Sequence, residues 1–309
     1  MSPRLERSVL LVPASNWAMI TKTAGAAADA VCIDLEDAVA PAEKEASRAN
    51  VARAFTELDF GGKLKLFRMN GLDTGWAYRD LVEIVEAAGN GVDLVVVPKV
   101  NGPEDIRFVE TLLGQIETNK GLRQRIGIEA LIETALGYVN LREIAASSPR
   151  LEGFVYGSGD YAASMHMPMT AIGELDDNDA LYPGHRWHAV MHGIVATARA
   201  YGKRAVDGPF AGIRNETGLE QACRIGRAMG FDGKWCIHPS QVAAANRAFA
   251  PTPAEIGWAR TVLDTYQAAV AAGTGAITVG GKMIDVASLR MAETIADRAR
   301  LAGLPDAAG

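Results

Sequence analysis

The chain has 309 residues, a length that suits one large domain or two ordinary ones, and a single α/β barrel alone runs to about 250 residues. Hydrophobic residues make up 49% of the sequence and charged residues 22%, a balance typical of a globular protein with a large core. The net charge of −6, without any run of Lys and Arg, argues against a nucleic-acid partner, because phosphate groups require a basic patch.

The three cysteines have neither CxxC nor metal-ligand spacing, so they predict neither a disulfide framework nor a zinc site. The apolar run SVLLVPAS near the N-terminus is shorter than the core of a signal peptide. No stretch reaches the ~18 apolar residues of a membrane span. We therefore predict an untargeted, soluble, cytoplasmic protein with no membrane partner.

Eight short runs of β-branched residues, each followed by turn residues and an Ala-rich helical pattern, predict eight βα units. In chain order they are SVLLV (8–12), DAVCID (29–34), KLKLFR (63–68), DLVVVP (93–98), IGIEALI (126–132), GFVYG (153–157), KRAVDG (203–208) and KWCIH (234–238). Several are apolar on both faces, as parallel strands covered by helices must be, and no hairpin signal separates them. The pattern predicts an α/β fold, a closed (β/α)8 TIM barrel over residues 1–250. A doubly wound open sheet is the alternative.

Two segments exceed a minimal barrel. The polar stretch GELDDNDALYPGHRWH between the sixth and seventh strands predicts an inserted loop over one end. The segment GTGAITVGGKMIDVAS after the last helix predicts a C-terminal arm or lid with glycine hinges. We expect residues 251–309 to form a helix and lid extension and not an independent domain.

Polar residues follow most of the predicted strands, at the carboxyl ends where the active sites of such barrels lie. They are Asp34, Glu36, Asp37, Arg68, Asn70, Lys99, Glu133, Thr134, Ser158, Asp160, Asp207 and His238. So many carboxylates at one rim repel each other unless a cation compensates, which predicts a bound metal. Hard oxygen ligands favour Mg²⁺ or Mn²⁺. Glu133 and Asp160, on adjacent strands, suit Mg²⁺ because it takes only one or two protein carboxylates.

Several of these residues have a second interpretation. A turn or helix cap explains Asp37 and Asp207 about as well as a site does. Arg68 directly follows an apolar strand, where either an exposed salt bridge or an anion-binding fork fits. His238 fits a general base and a packed strand-end histidine equally. The other four histidines, in or near the inserted loop, are predicted to be loop or surface residues.

Eight segments occur along the chain in a familiar order. They are RSVLLVPAS, DLEDAVAP, RMNGLDT, VVPKV, IETALGYVNLREIAASSPRLEGFVYGSGDYAAS, VDGPF, GKWCIHPSQ and GKMIDVASLRMAE. In this order they resemble the citrate lyase β-subunit-like (HpcH/HpaI aldolase) family, most closely its malyl-CoA/β-methylmalyl-CoA/citramalyl-CoA lyases. The resemblance implies a (β/α)8 barrel, dependence on Mg²⁺ and reversible carbon-carbon cleavage of a CoA thioester.

The resemblance also implies roles for single residues. It places the metal ligands on Glu133 and Asp160 and a substrate-binding arginine on Arg68. For Glu36 and Asp37 we expect a supporting role, in which they orient Arg68 and hold metal-bound waters. The resemblance places an acid/base aspartate on Asp285, in a lid that reaches a neighbouring subunit's site. That last role implies a homo-oligomer, a trimer or a hexamer. The implied CoA contacts are Leu11, Val12, Asn16, Lys22, Gly159, Ile237 and His238.

The reaction that the resemblance implies is cleavage of malyl-CoA to glyoxylate and acetyl-CoA, or of β-methylmalyl-CoA to glyoxylate and propionyl-CoA. The expected partners are therefore a small CoA thioester and an oxo-acid. Three alternatives stay open. They are a citramalyl-CoA lyase that releases pyruvate, a malyl-CoA thioesterase, and a citrate lyase β-like subunit that acts in a complex.

Overall fold

The computed structural model describes residues 4–182, 185–271 and 277–304. The chain divides into two compact units, one of Glu6–Phe249 and one of Met1–Leu5 with Ala250–Gly309. Whether the second unit can fold independently is not tested, so its role as an extension stays a prediction. No helix in the described part of the chain is long and apolar enough to cross a membrane.

The larger unit is a closed barrel of eight parallel strands in sequential order, with β1 paired to both β2 and β8. This confirms the barrel prediction and excludes the open sheet. The strands are β1 (Ser8–Pro13), β2 (Ala30–Asp34), β3 (Leu64–Arg68), β4 (Leu94–Val97), β5 (Gly127–Ile132), β6 (Leu151–Tyr156), β7 (Arg204–Asp207) and β8 (Gly233–Cys236). Each overlaps one of the predicted runs, because the β-branched stretches mark the strands that helices cover.

Helices follow the strands around the outside of the barrel. They are α1 (Trp17–Thr23), α2 (Lys44–Glu57), α3 (Ala77–Ala88), α4 (Pro103–Lys120), α5 (Ala135–Val139), α6 (Leu141–Ala145), α7 (Ser158–Ser164), α8 (Asp177–Ala180), α9 (His188–Ala200), α10 (Glu216–Met229) and α11 (Pro239–Phe249). Local sequence sets their ends. Helix α4 begins with a proline, which suits the first turn, and ends at Gly121 in the left-handed conformation that glycine tolerates.

The barrel interior is filled by a layer of apolar side chains, among them Val9, Ala30, Cys32, Leu66, Leu94, Val96, Leu131, Val155, Val206 and Trp235. Because alternate residues of a strand point to the same face, the residue two positions after an interior side chain points into the carboxyl-end mouth. Three polar residues stand at such positions, two residues after Cys32, Leu66 and Leu131. They are Asp34, Arg68 and Glu133. The strand period thus stacks a charged layer directly on the apolar one.

The second unit consists of helices α12 (Pro253–Ala271) and α13 (Val286–Leu301) with a two-stranded hairpin, β9 (Ile277–Val279) and β10 (Lys282–Ile284). The helices pack around Ala259, Val262 and Ala292. The expected glycine hinges are partly wrong, because Gly280 and Gly281 form the hairpin turn with φ of +57° and +77°. Such a two-residue turn needs positive φ at both positions, which glycine adopts without strain. The first part of the predicted lid, residues 272–276, lies outside the described residues.

Candidate active site

A cavity of about 370 Å³, here called the rim cavity, lies at the carboxyl ends of the barrel strands. Most of the predicted site residues line it, namely Leu11, Val12, Asp37, Arg68, Glu133, Gly159, Asp160 and Ile237. Side chains from β1, β3, β5 and β8 and from the start of α7 therefore meet at one point. The strand-end rule alone predicted this convergence, because parallel strands of a barrel bring their carboxyl ends to the same face.

Arg68 is held by carboxylates of its own chain. Its Nε and Nη2 donate to the two oxygens of Asp34 at 2.7 and 2.6 Å, and its Nη1 lies 2.7 Å from Oε2 of Glu36. The side chain is buried, so the exposed salt bridge considered from sequence is wrong. A guanidinium has five N–H donors. Three are used here within the described chain, which leaves two for a ligand in the rim cavity.

Lys99 connects Glu36, which holds Arg68, to Glu133. Its Nζ contacts Oε1 of Glu36, and its backbone N–H donates to Oε1 of Glu133 at 2.9 Å. Its φ is +50°, a left-handed conformation that a non-glycine residue adopts only when the surrounding contacts enforce it. Sequence reasoning noted Lys99 as a strand-end base but gave it no role, because no local signal reports a positive φ at a lysine.

The carboxylate of Glu133 is buried beside other negative charges. Burial raises the pKa of Glu133 to about 8, and Asp160 and Glu36 add to the rise against the opposing effect of Arg68. The close approach of β6 requires a glycine, because a Cβ at Gly157 would overlap the Glu133 carboxylate. Glu133 therefore lies in a tight position where Arg68 only partly offsets burial and the neighbouring negative charges.

The pair Glu133 and Asp160 fits a divalent cation. Within residues 4–182, 185–271 and 277–304, no three His, Cys, Asp or Glu side chains converge in a way that could hold a metal alone. Mg²⁺ does not require three, since it commonly takes one or two carboxylates and completes its shell with water and substrate oxygens. A cation bound here would favour the ionised form of Glu133, whose pKa burial and the neighbouring carboxylates raise. The ligand role of the two residues stays a prediction.

Glu36 and Asp37 differ in their surroundings. Glu36 is buried between Arg68 and Lys99, and burial raises its pKa although both cations oppose the shift. Asp37 is exposed and lies 3.9 Å from Nη1 of Arg68. The geometry therefore supports an orienting position for Glu36 more than for Asp37. Asp34, which binds Arg68 most closely, was noted at the strand end but missed as a site residue, although its spacing from Cys32 could have identified it.

Three predicted CoA contacts do not line the rim cavity. Asn16 is the exposed N-cap of α1 and accepts from the backbone N–H of Met19 at 3.0 Å, and Lys22 is exposed in the last turn of the same helix. His238 is exposed, with Nδ1 2.8 Å from Oγ of Ser240. The packed-histidine alternative is therefore wrong for His238. The CoA roles of all three stay predictions.

Two further predictions are decided by burial. Asp207 is neither a free rim acid nor a simple cap, because Nζ of Lys234 binds its Oδ2 at 2.5 Å in the interior. His185 was predicted to be a loop or surface residue, and it does lie in the inserted segment, but its side chain is buried. His166, His188 and His192 are exposed, as expected.

Asp285 belongs to the second unit. It is exposed and caps helix α13, accepting from the backbone N–H of Ser288 at 3.0 Å and from the Ser288 hydroxyl at 3.2 Å. The hydrogen bonds from Ser288 lower the pKa of Asp285, so its carboxylate is ionised at neutral pH. Its acid/base role stays a prediction.

Comparison with known proteins identifies the family. Residues 7–239 match the model of the HpcH/HpaI aldolase/citrate lyase family. The L-malyl-CoA/beta-methylmalyl-CoA lyase of Rhodobacter capsulatus is 40% identical over 305 residues, which cover 97% of this chain and 96% of that protein. A (3S)-malyl-CoA thioesterase of Cereibacter sphaeroides is 36% identical over 90% of this chain and 89% of its own.

Among solved structures, the protein CitE of Mycobacterium tuberculosis, crystallised with magnesium, acetoacetate and coenzyme A, is similar with a TM-score of 0.74 and 28% identity. The match covers 98% of this chain and 100% of that one. The family model covers the barrel unit up to residue 239, and the sequence relative and the solved structure extend the similarity over nearly the whole length. The chain belongs to the HpcH/HpaI aldolase/citrate lyase family.

Proposed function

We propose that this protein is a Mg²⁺-dependent lyase that reversibly cleaves malyl-CoA to glyoxylate and acetyl-CoA, and β-methylmalyl-CoA to glyoxylate and propionyl-CoA. The observation that carries the proposal is the meeting of Arg68, Glu133 and Asp160 in one cavity. It is supported by the 40% identity to a malyl-CoA/β-methylmalyl-CoA lyase over 97% of the chain. Mn²⁺ is a chemically reasonable substitute for Mg²⁺ at such a pair of carboxylates.

Glu133 and Asp160 would hold the cation, with Gly157 leaving the space that Glu133 needs. When bound, Mg²⁺ supplies Lewis-acid polarisation of substrate oxygens and a template that fixes their positions. Arg68 would use its two remaining N–H donors to stabilise the negative charge that develops on the thioester oxygen during cleavage. Asp34 and Glu36 fix the guanidinium in advance, so little reorganisation is needed when that charge appears.

Asp285 would transfer the proton at the α-carbon of the acyl group. Because its carboxylate is ionised, Asp285 suits the removal of that proton in the condensing direction. We further propose a homotrimer or homohexamer in which one subunit's Asp285 completes a neighbour's site. The buried, unpaired cysteines agree with a cytoplasmic location, where thiols stay reduced.

A malyl-CoA thioesterase is the second candidate. The observation that favours it is the 36% identity to a (3S)-malyl-CoA thioesterase over 90% of the chain. A thioesterase would break the C–S bond and release malate with free CoA, whereas a lyase breaks a C–C bond and leaves the thioester intact. A citramalyl-CoA lyase would release pyruvate in place of glyoxylate, because its substrate carries one more methyl group on the hydroxyl carbon. A citrate lyase β-like subunit would act only with its partner subunits.

The test incubates the purified protein and Mg²⁺ with malyl-CoA, β-methylmalyl-CoA and citramalyl-CoA, and identifies every product by mass spectrometry. We expect glyoxylate from the first two substrates. Calorimetry of Mg²⁺ binding should show that Glu133→Gln and Asp160→Asn each bind the ion at least about tenfold more weakly, with activity lowered more than about a hundredfold. Glu143→Gln, an exposed control, should behave as the wild type.

Malate with free CoA as the main products would identify a thioesterase instead. Activity near the wild-type level in both carboxylate variants would contradict the metal assignment.

A further inference from the structure

A second cavity, of about 320 Å³, lies beside the rim cavity in the barrel unit. We call it the side cavity. It shares two wall residues with the rim cavity, Ser158 and Pro209. Ser158 begins the same helix, α7, that carries Asp160. The side cavity therefore adjoins the position of the predicted metal ligands, and its volume is within the usual range for ligand pockets.

Most of the side-cavity wall is apolar. Helices α9 and α10 contribute Met191, Ala222 and Ile225, and Trp187 and Phe210 close the remaining sides. Such a wall accepts an alkyl group, because each buried methylene is removed from water. An alkyl group alone would nevertheless leave the polar end of the cavity unsatisfied.

Three buried polar atoms of the side-cavity residues have no hydrogen-bond partner in the described chain. They are the hydroxyl of Tyr156, the hydroxyl of Ser158 and Nδ1 of His185. Leaving such groups unpaired in the interior is unfavourable, so a ligand that offers a polar group here would gain hydrogen bonds. A hydroxyl group can both donate and accept, and it would suit this set better than a pure acceptor or a pure donor.

Charge in the side cavity favours a neutral ligand. Among the described residues that line it, the one permanently charged cation is Lys234, and its Nζ is already bound to Asp207 at 2.5 Å. Burial lowers the pKa of His185, and the neighbouring His188 adds to the shift, so this ring is neutral at neutral pH. No free positive charge therefore attracts a carboxylate. Glu174, which also lines the cavity, accepts from the side-chain amide of Asn215 at 3.0 Å and would repel a carboxylate.

The substrate has one part that fits these properties. The CoA portion is too large for the side cavity, and the oxo-acid carboxylate belongs with the cation and Arg68 in the rim cavity. The remaining part is the substituent on the α-carbon of the acyl group. We propose that the side cavity binds this substituent and selects short, neutral groups that carry a hydroxyl. This inference rests on the function proposed above and extends its substrate class to hydroxylated acyl-CoA thioesters.

The condensing direction offers the sharpest test. The donor's α-carbon loses a proton, its electron pair forms a C–C bond to the aldehyde carbon of glyoxylate, and the aldehyde oxygen takes up a proton to become the new hydroxyl. The donors are acetyl-CoA, butyryl-CoA and 3-hydroxypropionyl-CoA. The last two carry α-substituents with equal numbers of heavy atoms, and they differ only in a methyl against a hydroxyl. We expect kcat/KM for 3-hydroxypropionyl-CoA to exceed that for butyryl-CoA about tenfold, because a site with unpaired polar groups disfavours the analogue that lacks the hydroxyl.

Two variants test the location. Tyr156→Phe removes one oxygen and should reduce the preference for 3-hydroxypropionyl-CoA over butyryl-CoA to less than about threefold. Ala222→Phe fills the cavity and should lower kcat/KM for both longer donors at least about tenfold more than for acetyl-CoA. Ala228→Phe, the matched control on an exposed position of the same helix, should leave all three values at the wild-type level. Calorimetric Kd values for the two longer thioesters, measured without glyoxylate, should change in the same pattern.

Equal use of the two longer donors, or an Ala222→Phe variant that lowers all three donors alike, would overturn the inference and leave the side cavity as a water-filled space. If the wild-type protein does not condense acetyl-CoA with glyoxylate, that result would instead contradict the proposed function itself. The two failures are thus distinguishable.

Discussion

At the scale of single residues, the site depends on a buried arginine that is neutralised by its own chain. Asp34 binds Arg68 through two oxygens, and Glu36 binds the remaining terminal nitrogen. A bidentate pair fixes both position and orientation, which a lysine in place of the arginine would not reproduce. This rigidity suits the catalytic role that we propose for Arg68.

We predict that Asp34→Asn lowers the free energy of unfolding by about 3 kcal/mol, because it removes one charge of a buried pair and leaves the guanidinium partly uncompensated. The measurement is urea denaturation followed by circular dichroism. Asp37→Asn, three residues after the end of β2, is the matched control. It is exposed and 3.9 Å from Arg68, so its change should stay below about 0.5 kcal/mol. Equal losses in both variants would show that the close pair has no special importance.

At the scale of elements, two predicted site residues stand at the starts of helices. The first turn of α7 carries Asp160, and the N-cap of α13 is Asp285. A carboxylate at an N-cap is favoured whether or not it has a catalytic task. Capping and proton transfer must therefore be separated by experiment.

Asp285→Asn makes this separation, because asparagine caps a helix about as well as aspartate but cannot accept the α-proton. We expect unchanged helicity by circular dichroism and a loss of more than about a hundredfold in the exchange of acetyl-CoA methyl protons with deuterated water, followed by NMR in the presence of Mg²⁺. Asp297→Asn, an exposed change within the same helix, serves as the control. Exchange at the wild-type rate in Asp285→Asn would remove this residue from the proposed mechanism.

At the scale of the whole molecule, a second charged layer lies at the opposite end of the barrel from the rim cavity. There Arg204 binds three carboxylates, with Glu129 and Glu152 each at 3.1 Å and Glu6 in direct contact. In these contacts the three carboxylates share the Arg204 guanidinium. Burial raises the pKa of Glu129 well above its ordinary value, and the neighbouring Glu6 adds to the rise. The fold therefore favours a protonated Glu129.

This raised pKa predicts a pH dependence of stability. A carboxyl group with a raised folded-state pKa stabilises the fold fully below its unfolded value near 4.5, and the contribution is lost as the pH rises towards the folded value. Glu129→Gln resembles the protonated form and does not titrate. Its free energy of unfolding, relative to wild type, should therefore increase by at least about 1 kcal/mol between pH 5 and pH 8, measured by urea denaturation. Glu143→Gln, on the surface, should show no such increase, and a constant difference in Glu129→Gln would contradict the assignment.

The sequence by itself determined the barrel fold and most of the residues that line the rim cavity. Eight apolar runs predicted eight strands, and the rule that barrel sites lie at strand carboxyl ends predicted that Arg68, Glu133 and Asp160 lie close together. These predictions succeeded because strand period and βα alternation are local properties, written within a few residues of the chain.

Only the tertiary structure decided which polar side chains are paired with a partner and which are buried. The clamp of Asp34 on Arg68, the positive φ of Lys99 and the burial of His185 each depend on residues far apart in sequence. The side cavity likewise forms between β6, β7, α9 and α10, and the sequence of no single segment predicts it. The pairing of charges and the burial of polar side chains arise from packing between distant segments. The hydrophobic pattern of one segment therefore cannot predict which partner a charged group or a hydroxyl contacts.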